Sequence, residues 1–148
     1  MKKLVLIALL LIASFVNAQI LEPVKWSTAV EKISATEYNL VATATIDSGW
    51  HLYSQNVPEG GPIPTAFEFE NNDAYSLVNK AIEEKGHTVN DPIFEMQIKF
   101  FENKAVFKQH IKVTDKSLTK VVAEVEFMVC DDARCLPPTY VDLNFNLE

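Results

Sequence analysis

Basic residues are scarce in this sequence: 13 lysines and arginines stand against 20 aspartates and glutamates. No positive cluster offsets that balance, which excludes nucleic acid and anionic membrane surfaces as partners. Cysteine is scarcer still. Cys130 and Cys135 are the whole supply, and two cysteines allow a single intramolecular pairing. A Gly-x-Ser-x-Gly elbow is absent, so the chain offers no such nucleophile with an oriented base. The three histidines, His51, His87 and His110, share no short ligand spacing. That argues against a metal centre, including a soft Cu(I) site built with Cys130, Cys135 and Met128, and no cofactor is expected. Internal repeats, low-complexity tracts and a long helical pattern are also missing.

What is present begins with an export signal. Lys2 and Lys3 precede an apolar run from Leu4 to Ile12, and Val16-Asn17-Ala18 supplies a small-x-small cleavage pattern. The expectation is a secretory signal peptide over residues 1–18, with the mature chain starting at Gln19. The run is too short for a membrane span, which needs about 20 apolar residues. No cysteine near the cleavage site would take a lipid, and no second apolar run follows, so no membrane insertion is expected after cleavage. Loss of Lys2 and Lys3 would leave 11 basic residues against 20 acidic ones, deepening the charge from −7 to −9. Residues 19–148 have the size of one domain.

That segment patterns as strands. Tyr38, Leu40, Ala42, Ala44 and Ile46 alternate with more polar neighbours, as do Ala105, Phe107, Gln109, Ile111 and Val113, the period-2 signature of half-buried strands. Further extended segments are expected at Trp50–Tyr53, Phe67–Phe69, Tyr75–Ala81, Ile93–Phe101, Lys120–Cys130 and Tyr140–Leu147. Ala81 to Lys85 could also form a brief helical turn. Ser48-Gly49, the Pro/Gly-rich loop Pro58–Pro64, Asn71-Asn72-Asp73, Asn90-Asp91-Pro92 and Glu102-Asn103-Lys104 punctuate the series. Eight or nine strands without a long helix predict an all-β, immunoglobulin-like β-sandwich.

Export places the cysteine pair where thiols oxidise. In Lys120–Cys130 the apolar phase is Val121, Ala123, Val125, Phe127 and Val129, so Cys130 falls in the opposite phase, away from the core. A disulfide closing so short a loop stabilises by about 2 kcal/mol, near the low end for such bonds. A short, exposed loop closed by Pro137-Pro138 suits a bond that is made and broken, because exchange needs access to a sulfur. Asp131 and Asp132 beside Cys130 disfavour its thiolate, whereas Arg134 beside Cys135 favours one. Cys135 is therefore expected to be the attacking, partner-linked sulfur and Cys130 the resolving one, with Asp131, Asp132 and Arg134 tuning the pair.

Two blocks, Gly49-Trp50-His51-Leu52-Tyr53-Ser54-Gln55 with the loop through Pro64, and Phe127 to Asp142 with the cysteines and Pro137-Pro138, carry a family likeness. The chain resembles the N-terminal periplasmic domain of the thiol:disulfide interchange protein DsbD. That resemblance implies an immunoglobulin-like periplasmic domain whose disulfide cycles. It implies electrons arriving from the thioredoxin-like domain of a membrane electron carrier and leaving to oxidised periplasmic proteins, as a protein-disulfide reductase component connected with cytochrome c biogenesis. The family's redox cysteines map onto Cys130 and Cys135, the second being partner-linked. Its neighbouring aromatics map onto Trp50 and Tyr53, and its disulfide-capping ring onto Phe94. The best-known members place five residues between the cysteines where this chain has four, and the membrane-spanning and thioredoxin-like parts have no counterpart in these 148 residues.

The competing reading is an exported immunoglobulin-like binding domain whose disulfide is structural. The aromatics Phe94, Phe100, Phe101 and Phe107 are assigned to the sandwich core, with Phe94 set apart because it follows a Pro-broken loop.

Overall fold

The computed structural model describes residues 21–91 and 94–147; the expected signal peptide lies outside them. Eleven strands run through these described residues: β1 Val24–Lys32, β2 Glu37–Ile46, β3 His51–Tyr53, β4 Ala66–Phe69, β5 Tyr75–Glu83, β6 His87–Asp91, β7 Met96–Phe101, β8 Lys104–Val113, β9 Lys120–Phe127, β10 Val129–Cys130 and β11 Thr139–Asn146. Pairing is antiparallel throughout. One sheet has the order β1-β2-β8-β5, a second β10-β3-β7-β6 and a third β11-β9-β4. The chain passes from β9 to β10 across the single residue Met128, joining the third sheet to the second. The architecture is the expected all-β sandwich.

The core forms where the alternation said it would. Tyr38, Leu40, Ala42, Ala44 and Ile46 of β2 pack with Ala105, Phe107, Ile111 and Val113 of β8 against Val121, Ala123, Val125 and Phe127 of β9. Burying a large apolar side chain stabilises by roughly 1.5–3 kcal/mol, and Phe107, Phe145, Leu40 and Ile111 are among the largest fully buried. Gln109 shares the inward phase of β8 and is buried too. Its side-chain amide donates to the carbonyls of Val78, Asn79 and His110. The first two lie at the register shift between Val78 and Ile82 in β5, so the buried amide hydrogen-bonds where the ladder is broken.

Three differences from the sequence expectation have physical causes. β1 and β6 did not stand out because both are largely exposed and so carry little apolar period. Residues 81–83 continue β5 instead of turning helical: Ile82 and Glu83 pair with Lys108 and Phe107. Of the extended run expected over Ile93–Phe101, residue 93 lies outside the described residues, Phe94 and Glu95 form a turn, and the strand begins at Met96. At Gly86 an added Cβ would stand 2.5 Å from the Phe100 carbonyl oxygen and 2.9 Å from the Phe101 ring, so only glycine lets β6 approach β7 there.

Candidate redox site

The second sheet is buried on both faces over a short stretch. Leu52, Phe101 and Val129 point into the main core. Their chain neighbours Tyr53, Phe100 and Cys130 point the other way and, with Ile98, form a separate buried cluster. Register pairs Tyr53 with Phe100 and His51 with Cys130, so side chains from three strands converge there. Val57, Phe94, Met96 and Met128 pack against this cluster.

Cys130 and Cys135 are disulfide-bonded, with their Cα atoms 3.9 Å apart. The two halves differ sharply in environment: Cys130 is 4% exposed, whereas Cys135 is exposed. The strand phase held, since Val129 joins the main core and Cys130 does not. The expectation of an exposed loop was wrong for Cys130. The second cluster covers the face it lies on, and its contributors are scattered over β3, β7 and the loop after β3, out of reach of a one-strand pattern.

The loop between the cysteines is built by Asp131. Its Oδ1 accepts hydrogen bonds from the amides of Ala133 at 2.9 Å and Arg134 at 2.8 Å, and its own amide donates to the Arg134 carbonyl. The Ala133 amide has the largest effect on the Asp131 carboxyl; desolvation opposes it, and the Arg134 amide and guanidinium add to it, so the carboxyl is held below the usual range. This is a turn-forming aspartate. Arg134 Nε lies 3.5 Å from Asp131 Oδ2, and its guanidinium sits 5.9 Å over the Trp50 ring. The charges that flank the two sulfurs in sequence therefore face each other, and burial, more than flanking charge, separates Cys130 from Cys135. Asp132 is exposed.

The other expected site residues are divided. Trp50 belongs to the main core and meets the loop through Arg134. Tyr53 lies in the cluster with Cys130, and burial, with Asp91 adding to it, pushes its hydroxyl up to about 12. Phe94 is half-buried against that cluster, its amide donating to Asp91 Oδ1 at 3.0 Å. Phe100, assigned to the sandwich core, is a wall of the disulfide's cluster instead; Phe101 and Phe107 remain in the core. Among the described residues no group of three or more His, Cys, Asp or Glu side chains is arranged to hold a metal ion.

Sequence reasoning missed Glu83. Its side chain is 6% exposed and lies 2.8 Å from Lys99 Nζ. Ser54 Oγ, the Gln55 amide and the Asn56 side-chain amide also donate to it. Burial pushes this carboxyl up, and the four donors outweigh that and hold it below the usual range. Glu83 thereby ties the start of the loop carrying Val57, which packs against the Cys130 cluster, to β5 and β7. No local signal distinguished it from Glu84 beside it, which is exposed.

The family described as thiol:disulfide interchange protein DsbD, N-terminal, matches residues 17–146. The chain belongs to the DsbD N-terminal family. Among solved structures it is similar to the reduced DsbD N-terminal domain from Neisseria meningitidis, at 14% identity and a TM-score of 0.56, covering 86% of this chain and 90% of that one. It is also similar to the N-terminal periplasmic domain of ScsB from Proteus mirabilis, at 16% identity and a TM-score of 0.58, covering 83% of this chain and 45% of that one. A third similar structure is the complex between the DsbD N-terminal and PilB N-terminal domains from Neisseria meningitidis, at 12% identity and a TM-score of 0.55, covering 85% and 87%. At such identities these likenesses establish the fold. A sequence comparison with curated proteins returned no match.

Proposed function

We propose that this DsbD N-terminal family member is an exported thiol–disulfide exchange module, with residues 1–18 as its cleaved signal and residues 19–148 as the working periplasmic domain. In this role the Cys130–Cys135 disulfide accepts electrons from the thioredoxin-like domain of a membrane carrier and passes them to oxidised periplasmic proteins. The observation that supports it best is the pairing of one exposed sulfur with one buried sulfur in a six-residue loop outside the main core. An incoming thiolate can reach Cys135 and not Cys130, so attack is confined to one sulfur and the other becomes the leaving group. Cys135 is then the partner-linked residue and Cys130 the resolving one, while Tyr53 and Phe94 limit access to the buried half. The existence of a complex between a DsbD N-terminal domain and the PilB N-terminal domain fits a module that works by docking.

Equilibration against glutathione or dithiothreitol buffers tests the role. Structural disulfides have potentials below about −300 mV, and exchange-active ones are more oxidising. The expected value lies above that mark, and Cys130→Ala protein is expected to trap a thioredoxin-like partner through Cys135. A lower potential, with no trapping by either single-cysteine protein, would return the domain to the class of immunoglobulin-like binding modules with a structural bridge.

A further inference from the structure

The buried half of the disulfide has a histidine as its cross-strand partner. Cys130 and His51 are register partners between β10 and β3, and paired side chains of an antiparallel ladder project to one face with Cβ atoms about 5 Å apart. The His51 ring is tilted against that of Phe100, with centroids 4.4 Å apart, and Phe100 is a wall of the Cys130 cluster. Nε2 of His51 lies 3.0 Å from Oε1 of Glu102, whose other oxygen lies 3.7 Å from Nε2 of His87. A carboxylate at one ring nitrogen fixes the orientation and tautomer of an imidazole. With Nε2–H donating to Glu102, Nδ1 is the nitrogen left to accept or give a proton.

We propose that His51 moves the proton of Cys130 during exchange, with Glu102 as the positioning residue that holds the ring. This rests on the exchange role proposed above. The need is chemical: when the Cys130–Cys135 bond breaks, Cys130 leaves as a thiolate in an apolar cluster, where the charged form is disfavoured.

A partner thiolate attacks Cys135 Sγ, a partner–Cys135 bond forms, and the old bond's electron pair stays on Cys130 Sγ. His51, as imidazolium, gives that sulfur a proton and becomes neutral. The partner's second thiolate, its proton released to solvent, attacks the partner's own bonded sulfur. The partner leaves as a disulfide, Cys135 leaves as a thiolate, and the domain is reduced. In the second half Cys135 attacks the disulfide of an oxidised protein, and the thiolate released takes a proton from solvent. His51 recovers the proton of Cys130, and Cys130 closes on Cys135, releasing the reduced protein's second thiolate. Two electrons have passed and His51 is again imidazolium. The other titratable or charged groups facing this place are Tyr53 on β3, His87 and Asp91 on β6, and Asp131 and Arg134 in the cysteine loop. None of them is the register partner of Cys130.

Cys135→Ala protein isolates the Cys130 thiol, whose thiolate is followed by its ultraviolet absorbance as a function of pH. Adding His51→Gln should move the profile to higher pH and cut the thiolate fraction at pH 7 by about threefold or more. Glu102→Gln, at an exposed turn where no packing is lost, should move it the same way by less. Profiles that superimpose in both variants would overturn the proposal. The titration needs no partner, so it can fail while Cys135 trapping succeeds. A shifted profile with no trapping in Cys130→Ala protein would uphold the His51–Cys130 proton coupling and remove the relay.

Discussion

The protein buries apolar side chains in two places, and the two differ in what they enclose. The main core lies between the sheets and is filled by alternating residues of long, mutually paired strands. The smaller cluster lies on the other face of β10, β3 and β7, around Cys130, and is completed by loop and turn residues such as Val57 and Phe94. The three strands Leu52-Tyr53, Phe100-Phe101 and Val129-Cys130 serve both, one residue of each pair facing each way. Stability and sulfur chemistry are therefore carried by opposite faces of one sheet, which lets the second be tuned without dismantling the first.

Three substitutions sharpen or break this division. Phe107→Ala should have the largest effect, about 4 kcal/mol of stability, since Phe107 is 1% exposed between the sheets. In protein still folded, the disulfide's rate of reduction by dithiothreitol should be unchanged. Urea unfolding with parallel reduction kinetics reads both, and a large rate change would show that the faces are coupled. Glu83→Gln is expected to cost about 3 kcal/mol, because it leaves Lys99 and three further donors without their charged acceptor. A carboxyl held below its usual 4.5 stabilises the fold above that pH and loses its effect as pH falls through the depressed value. The gap between wild type and Glu83→Gln should therefore be full at neutral pH and close in acid. A gap that stayed constant from pH 7 to pH 3 would contradict the hub. Phe94→Ala, at a half-buried position, should cost only about 1 kcal/mol yet speed reduction of the disulfide several-fold; unchanged kinetics would remove Phe94 from the barrier around Cys130.

Legibility in the sequence followed the same division. The strands that face the main core could be read from Tyr38–Ile46, Ala105–Val113 and Lys120–Phe127, because one wet face and one dry face produce a clean period of two. The cysteine pair was legible as chemistry, and the DsbD-like blocks named its family. The walls of the second cluster were not legible. Where a strand is buried on both faces its alternation disappears, so Phe100 and Phe101 read alike although they face opposite ways. The role of Glu83 depends on donors from Ser54, Asn56 and Lys99, which only the fold brings together. Asp131 was noticed for its charge, and its carboxylate turned out to shape the loop.

That loop also says how the domain could be reset. The Asp131 turn, the Asp131–Arg134 main-chain bond and the Leu136 amide donating to the Val129 carbonyl at 2.9 Å fix the backbone on both sides of the pair without help from sulfur. When the bridge opens, the two thiols can part by side-chain rotation while the main chain keeps its register. In the proposed exchange role each turnover would start from a poised loop, and the domain would shuttle between oxidation states without refolding.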